Sequence, residues 1–236
     1  MNTVTSLPAA VDGGAALLHV IRMRRTVRAF LPDPIPRSIL EDVLQVAGRA
    51  PSTFNTQPWR VHVLLGEAKE RLSELVGQAF ATSACPLFSP FPDNVPARFA
   101  TLQQEFGARY YRALGIDRTD ANARAKQTAR NFQFFEAPVG LIFTIDAALT
   151  RHSWLDHGIF LQTLMLAAHA YGLATCPQVS FVRFQPVIVE ALHLAPNEVV
   201  TCAMSLGYPD ETAPVNHIAM PREPLQRITT WHQART

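Results

Sequence analysis

The chain has 236 residues, 48% of them hydrophobic and 17% charged, and a formal net charge of +2. That length and apolar content support a sizeable packed core and exclude a disordered chain or a coiled coil. So small a net charge supplies no global field for holding a nucleic acid duplex.

After Gly13 and Gly14, the periodicity predicts a helix over 15–25 with Leu17, Leu18 and Ile21 on one face. Directly behind it stands RRTVRAF, three arginines within five residues of a nearly neutral chain. The run PDPIPRS breaks the backbone, and Pro36 suits a first helical turn. Ile39, Leu40, Val43, Leu44 and Ala47 then repeat at helical spacing until Pro51 stops them. Trp59 to Leu65 alternates, with Val61, Val63 and Leu65 on one side, and reads as a strand; a helix over about 67–80 follows. Pro86, Pro90, Pro92 and Pro96 forbid regular structure over about 81–98. The polar stretch 99–135 reads as two helices broken near Gly115-Ile116-Asp117. Residues 81–130 are expected to be an excursion from the core, too poor in apolar residues to form one of their own.

PVGLIFTI, residues 138–145, is nearly all apolar and reads as a buried strand. A long core helix over 153–171, ended by Gly172, comes next. A short extended piece, a helix over about 184–192 and a buried strand over 199–206 complete the pattern, and the tail from 216 has no apolar period. Interleaved strands and helices around one core give an α/β or α+β class.

The apolar segment 159–173 is interrupted by Gln162 and His169 and is shorter than the roughly 20 residues of a bilayer span, so a buried helix is expected rather than a membrane one. Cys85, Cys176 and Cys202 are widely spaced with no CxxC, which suits a reducing compartment. The N-terminus lacks the basic start and apolar block of a signal peptide. A cytoplasmic protein is expected.

Several stretches could carry chemistry. Arg24, Arg25 and Arg28 could cap and solvate a helix end, or their guanidinium forks and the Thr26 hydroxyl could cradle a phosphate. In APSTFNTQPW, two prolines bracket Ser52, Thr53, Asn55 and Gln57 between a helix and a strand: an ordinary polar connection, or a pinned loop suited to the edge of a polar heterocycle. Thr175 to Ser180, TCPQVS, and the late Arg222 are weak signals alone. His152 and Asp156 have metal-ligand spacing with His157 adjacent, but no HExxH and no third ligand, which favours capping or solvated side chains. No GxGxxG, GxxxxGK[ST] or GxSxG occurs. Cys176 beside Pro177 has no motif that pairs it with a histidine base, so a buried thiol is the better reading.

Taken together, RRTVRAF, APSTFNTQPW, GLATCPQVS and PREPL resemble the nitroreductase family of FMN-dependent flavoproteins, most of all its 4-nitrobenzoate reductase-like branch. The resemblance spans about residues 17–231. It implies one α+β domain, three-layered α/β/α with a central, mostly antiparallel sheet, in an intertwined homodimer holding FMN at the interface. By motif position, Arg24, Thr26, Arg28 and Arg222 would hold the phosphate and ribityl chain, with Arg25 beside them through its backbone. Pro51, Ser52, Thr53, Asn55 and the weaker Gln57 would come from the partner subunit. Pro177, Gln178, Val179 and Ser180 would flank the isoalloxazine ring, and Asn131 would be a further contact. Thr26 replaces the usual serine, and Met220 stands where many members carry a second late cation.

The implied activity is ping-pong transfer of electrons from NADH or NADPH through FMN to a small nitroaromatic or quinone-like substrate, with no catalytic side chain and no metal. Residues 81–130, with Phe88, Phe91, Phe99, Tyr110 and Tyr111, would either lid the substrate side or pack on the core. Enone or flavin reduction, dehalogenation, fragmentation of FMN, or flavin binding without turnover are the alternatives on the same scaffold.

Overall fold

A computed structural model describes residues 12–82 and 94–232. Its centre is dictated by the two most apolar runs. β1 (Arg60–Leu65), β2 (Val139–Asp146), β3 (Ala174–Gln178) and β4 (Glu198–Gly207) form one sheet in the order β1-β2-β4-β3, every neighbouring pair antiparallel. β2 and β4 take the two central places, which is why they carry apolar residues on both faces.

Strand alternation sends Val139, Leu141 and Phe143 of β2 to the same face as Cys202, Met204 and Leu206 of β4. There they meet Leu40, Val43 and Ala47 of α2 (Arg37–Ala47) and Phe160, Leu164, Ala167 and Ala168 of α6 (Arg151–Ala170). On the other face Leu64, Ile142, Val200 and Ala203 are covered by Leu72, Val76 and Ala79 of α3 (Gly66–Thr82) and Ile188 of α7 (Gln185–Leu192). Phe132, Phe134, Phe181 and Phe184 join that layer. The result is the expected three-layer α/β/α arrangement.

Helix α1 (Gly14–Met23) stops two residues before the expected 25, and none of its residues is buried. Leu17, Leu18, Ile21 and Met23 all stay exposed in the single chain. In β1 the alternation is present, yet Leu64 is buried while Val63 and Leu65 are exposed. The cause is α3, which leaves directly from Leu65 through the left-handed Gly66 (φ 47°) and folds back over the Leu64 side.

The polar stretch forms α4 (Ala97–Ala113) and α5 (Ala121–Asn131), separated at the left-handed Gly115. Tyr110 of α4 is buried and its hydroxyl accepts from Gln127 Nε2 of α5 at 2.7 Å, whereas Phe99 is exposed. Phe88, Phe91 and the prolines at 86, 90 and 92 lie outside the described residues. Among the described residues, no helix is long and apolar enough to cross a membrane. The short helix α8 (Leu225–Ile228) follows in the tail.

His157 of α6 is buried, with Nε2 2.7 Å from the Thr201 hydroxyl. That hydroxyl donates to the Phe143 carbonyl oxygen, so His157 is the donor to Thr201 and its Nδ1 is left without a partner. Burial lowers its pKa from 6.5 to about 4. A neutral ring is therefore favoured in the fold. The stability it contributes is complete above about pH 6.5 and is lost as pH falls towards 4, at up to about 1.4 kcal/mol per pH unit. Urea unfolding at pH 7, 6 and 5 is expected to show this decline, flattened in His157→Gln. A wild-type stability constant across that window would contradict the assignment.

Candidate functional site

The arginine cluster is not on a helix. Arg24 caps α1 with its N–H on the Val20 carbonyl and turns to φ −57°, ψ 127°, and the chain then runs extended along the free edge of β3. Thr26 bridges Thr175 in parallel, Val27 N–H donates to the Thr175 carbonyl at 3.1 Å, and Phe30 bridges Pro209. The segment thereby covers an edge that would otherwise expose unpaired amides.

Extended chain alternates, so Arg24, Thr26 and Arg28 share one side while buried Val27 faces the other. Arg25 turns away to pair with Glu211, leaving its backbone in the row. Asn216, 1% exposed, clips the segment: its Oδ1 accepts from Arg28 N–H, and its Nδ2 donates to the Ala29 and Asp210 carbonyls, all at 2.8 Å.

The electrostatics of this row are unbalanced. Burial, and then the like charge of Arg222, hold the Arg24 guanidinium below the usual arginine pKa. Among the described residues no carboxylate pairs with Arg24, Arg28 or Arg222. Among the described residues Arg222 bonds the backbone carbonyls of Met220 and Pro221, and it lines a groove of about 550 Å³ with Arg98, Arg227, Glu105 and Glu223, the last of these paired with Arg98 and Arg227. The guanidinium carbon of Arg28 lies 5.2 and 5.1 Å from the ring centres of Phe106 and Tyr110 on α4, a cation–π contact that aims it without neutralising it. Arg24 and Arg28 on the side of the segment that carries the Thr26 hydroxyl, with no carboxylate paired to either among the described residues, fit a phosphate dianion.

Next to this row lies the loop leaving β3. Pro177 and Ser180 are half-buried and Val179 is exposed, so all three can face a ligand. The Gln178 side chain cannot. Its Nε2 donates to the Asn131 carbonyl at 2.5 Å and Oδ1 at 3.2 Å, and its Oε1 accepts from Ser205 Oγ at 2.8 Å. Asn131 in turn donates to Ser180 Oγ. The expected ring contact of Gln178 is left to its main chain, and the amide of Asn131 is engaged in shaping the loop.

The 51–57 loop stands apart. It precedes β1, while the arginines line β3, and these are opposite edges of the sheet. Three strand spacings, roughly 14 Å, separate them. In this loop Phe54, Asn55 and Gln57 have φ of 52°, 57° and 45°. Left-handed backbone at non-glycine residues costs about 1–3 kcal/mol each. Gln57 holds the turn from within: its N–H donates to Ser52 Oγ at 2.9 Å and its Nε2 to the Asn55 carbonyl at 3.1 Å. Asp156 accepts from Thr53 and His157 is bonded to Thr201; among the described residues no group of three or more His, Cys, Asp or Glu is placed to hold a metal ion.

Cys176 and Cys202 are free, buried thiols, which burial pushes up to about 11 and about 12. Neither can act as a thiolate near neutral pH. Disulfide exchange with an aromatic disulfide at pH 7.5 is expected to leave both unmodified in the folded protein and modify both in urea; peptide mapping that finds either labelled in the native state would contradict their burial.

Asn216 carries no mark in the sequence, because its partners lie far along the chain; Tyr110 is marked there only as a lid or packing residue, and Asp156 only by its spacing from His152.

A model of the nitroreductase family matches residues 21–208. The chain is 49% identical over 210 residues to 4-nitrobenzoate reductase of Pseudomonas putida, covering 89% of this chain and 92% of that one. It is 41% identical to chloronitrobenzene nitroreductase of Comamonas testosteroni, over 90% and 95% of the two chains. The solved structure of the FMN-dependent nitroreductase NfnB from Mycobacterium smegmatis, in complex with NADPH, superposes with a TM-score of 0.88 at 33% identity, over 93% and 99%.

Proposed function

Because the chain belongs to the nitroreductase family, we propose that it is an FMN-dependent oxidoreductase that takes electrons from NADH or NADPH and reduces nitroaromatic acceptors. The relatives' names support a nitrobenzoate-like or similar small aromatic substrate. The observation that carries the cofactor assignment is the row of Arg24, Thr26 and Arg28 along the edge of β3, with no carboxylate paired to either arginine among the described residues. FMN supplies the redox chemistry when bound; the protein's task is to bind, orient and exclude water.

Arg24, Thr26, Arg28 and Arg222 would hold the phosphate and the ribityl chain by charge-assisted bonds. Pro177, Val179, Ser180 and the Gln178 backbone would flank the ring, with the Asn131–Gln178–Ser205 bonds fixing that wall. No acid–base side chain is assigned. Pro51, Ser52, Thr53 and Asn55 would serve the site of a second copy, which accounts for their distance from the arginines of their own chain.

A homodimer is supported by surfaces the single chain leaves open: α1 without a buried residue, and Trp154, Leu155 and Ile159 in a row on α6. The free thiols at Cys176 and Cys202 suit a reducing, cytoplasmic setting.

The test is to purify the protein, record its absorption spectrum, and follow NADPH and NADH oxidation with and without 4-nitrobenzoate. A flavin spectrum with acceptor-dependent oxidation is expected. A flavin spectrum without it would reduce the protein to a binding module, and a colourless protein that takes up no FMN would remove the cofactor reading.

A further inference from the structure

The 51–57 loop is strained at three residues, and Phe54 at its tip is 97% exposed. The Phe54 side chain therefore adds little packing within its own chain, and the strained turn needs anchoring to the core to hold its place. The bonds from Gln57 lie within the loop and cannot fix its place on the core. Among the described residues two side-chain contacts do, and both come from α6. Asp156 Oδ2 accepts the Thr53 N–H at 3.0 Å, with Oδ1 3.4 Å from the Thr53 hydroxyl. One turn further on, Phe160 stacks on Trp59 with ring centres 4.7 Å apart and planes 13° from parallel.

Asp156 is only 5% exposed, and a carboxylate so far out of water is held there by donors. Thr53 supplies them. On one flank of Asp156 α6 presents Leu155 and Ile159, which stay exposed in the single chain, so the carboxylate and the loop it holds lie beside an open apolar surface.

We propose that Asp156 is a positioning residue for the cofactor site: with Phe160 beneath Trp59, it clamps Thr53 and fixes the strained loop so that Ser52, Thr53 and Asn55 reach the flavin of a second copy of this chain. The proposal rests on the reading that this loop serves the partner's site. Asp156 touches no substrate or cofactor; it acts through Thr53, and its effect appears in the other protomer.

Asp156→Ala and Asp156→Asn are compared with wild type for FMN affinity by flavin fluorescence titration, for apo-protein melting, and for dimer mass. Asp156→Ala is expected to weaken FMN binding about 10- to 100-fold while remaining a folded dimer that melts within a few degrees of wild type. Asp156→Asn, which keeps one accepting oxygen, should fall between. Mixed dimers are then made by co-expressing differently tagged Asp156→Ala and Arg24→Ala chains. One of their two sites combines intact arginines with an intact loop, so half the sites should regain wild-type affinity.

Wild-type FMN affinity in Asp156→Ala would overturn the proposal, as would mixed dimers with no high-affinity site. Should Asp156→Ala not fold, Asp156→Asn paired with Arg24→Ala gives the same reading. Failure of wild type itself to bind FMN would instead strike the functional assignment, and so is told apart.

Discussion

Replacing Arg24 with alanine is expected to weaken FMN binding about 10- to 100-fold while leaving the apo-protein as stable as wild type, or slightly more so. A hydrogen bond to a charged group contributes about 1.5–3 kcal/mol, and each 1.4 kcal/mol is a factor of ten in affinity. The opposite sign in the apo-protein follows from the geometry. Arg24 is half-buried, pairs with no acid among the described residues, and is pushed down in pKa by burial and by Arg222. Removing it relieves repulsion and leaves no orphaned partner. A merely structural arginine would behave otherwise: its loss would lower the melting temperature and leave FMN affinity untouched. Fluorescence titration and apo-protein melting together decide between the two.

The largest effect on stability is expected at Phe132. Its ring is 1% exposed and packs against Phe80 and Phe184 at 4.9 Å and Phe181 at 5.5 Å between centres. Truncating a buried phenylalanine to alanine costs about 3–5 kcal/mol, through lost burial and the cavity that remains. For a chain of this size that is a fall of roughly 10 °C in melting temperature. The site should suffer too, because Phe132 directly follows Asn131, whose amide and carbonyl shape the loop after β3. Reduced FMN affinity beyond what unfolding explains is expected in Phe132→Ala at 15 °C. A loss under about 1 kcal/mol in urea unfolding would mean that neighbouring rings close the gap.

What was legible in the sequence was whatever burial wrote into a local period. PVGLIFTI reads as a doubly covered strand because β2 lies between two partners, with helices over both faces. The long helix over 151–170 is equally plain, for its apolar run is too long for a strand. The arginine segment was misplaced on a helix because Leu17, Leu18 and Ile21 carry their period up to it. What ends the helix is a bridge to Thr175, far along the chain. In β1 the alternation was visible but not which side would be covered, since that is decided by where α3 folds back.

The site was legible only as motifs. Their resemblance to a family named the arginines, the 51–57 loop and the loop after β3, and the fold brings the first and last of these together along one sheet edge. The residues that hold them there, Asn216 under Arg28 and Asp156 under Thr53, carry no signal of their own. Asp156 lies 103 residues from its partner and looked, at four residues from His152, like half a metal site.

The most direct test compares FMN with riboflavin, which lacks only the phosphate, in wild type and in the Arg24→Ala, Arg222→Ala double variant. If these cations exist to hold that phosphate, wild type should bind FMN at least 100-fold more tightly than riboflavin, and the double variant should lose most of the difference while keeping its affinity for riboflavin. Equal binding of the two flavins by wild type, or an undiminished preference in the double variant, would contradict it.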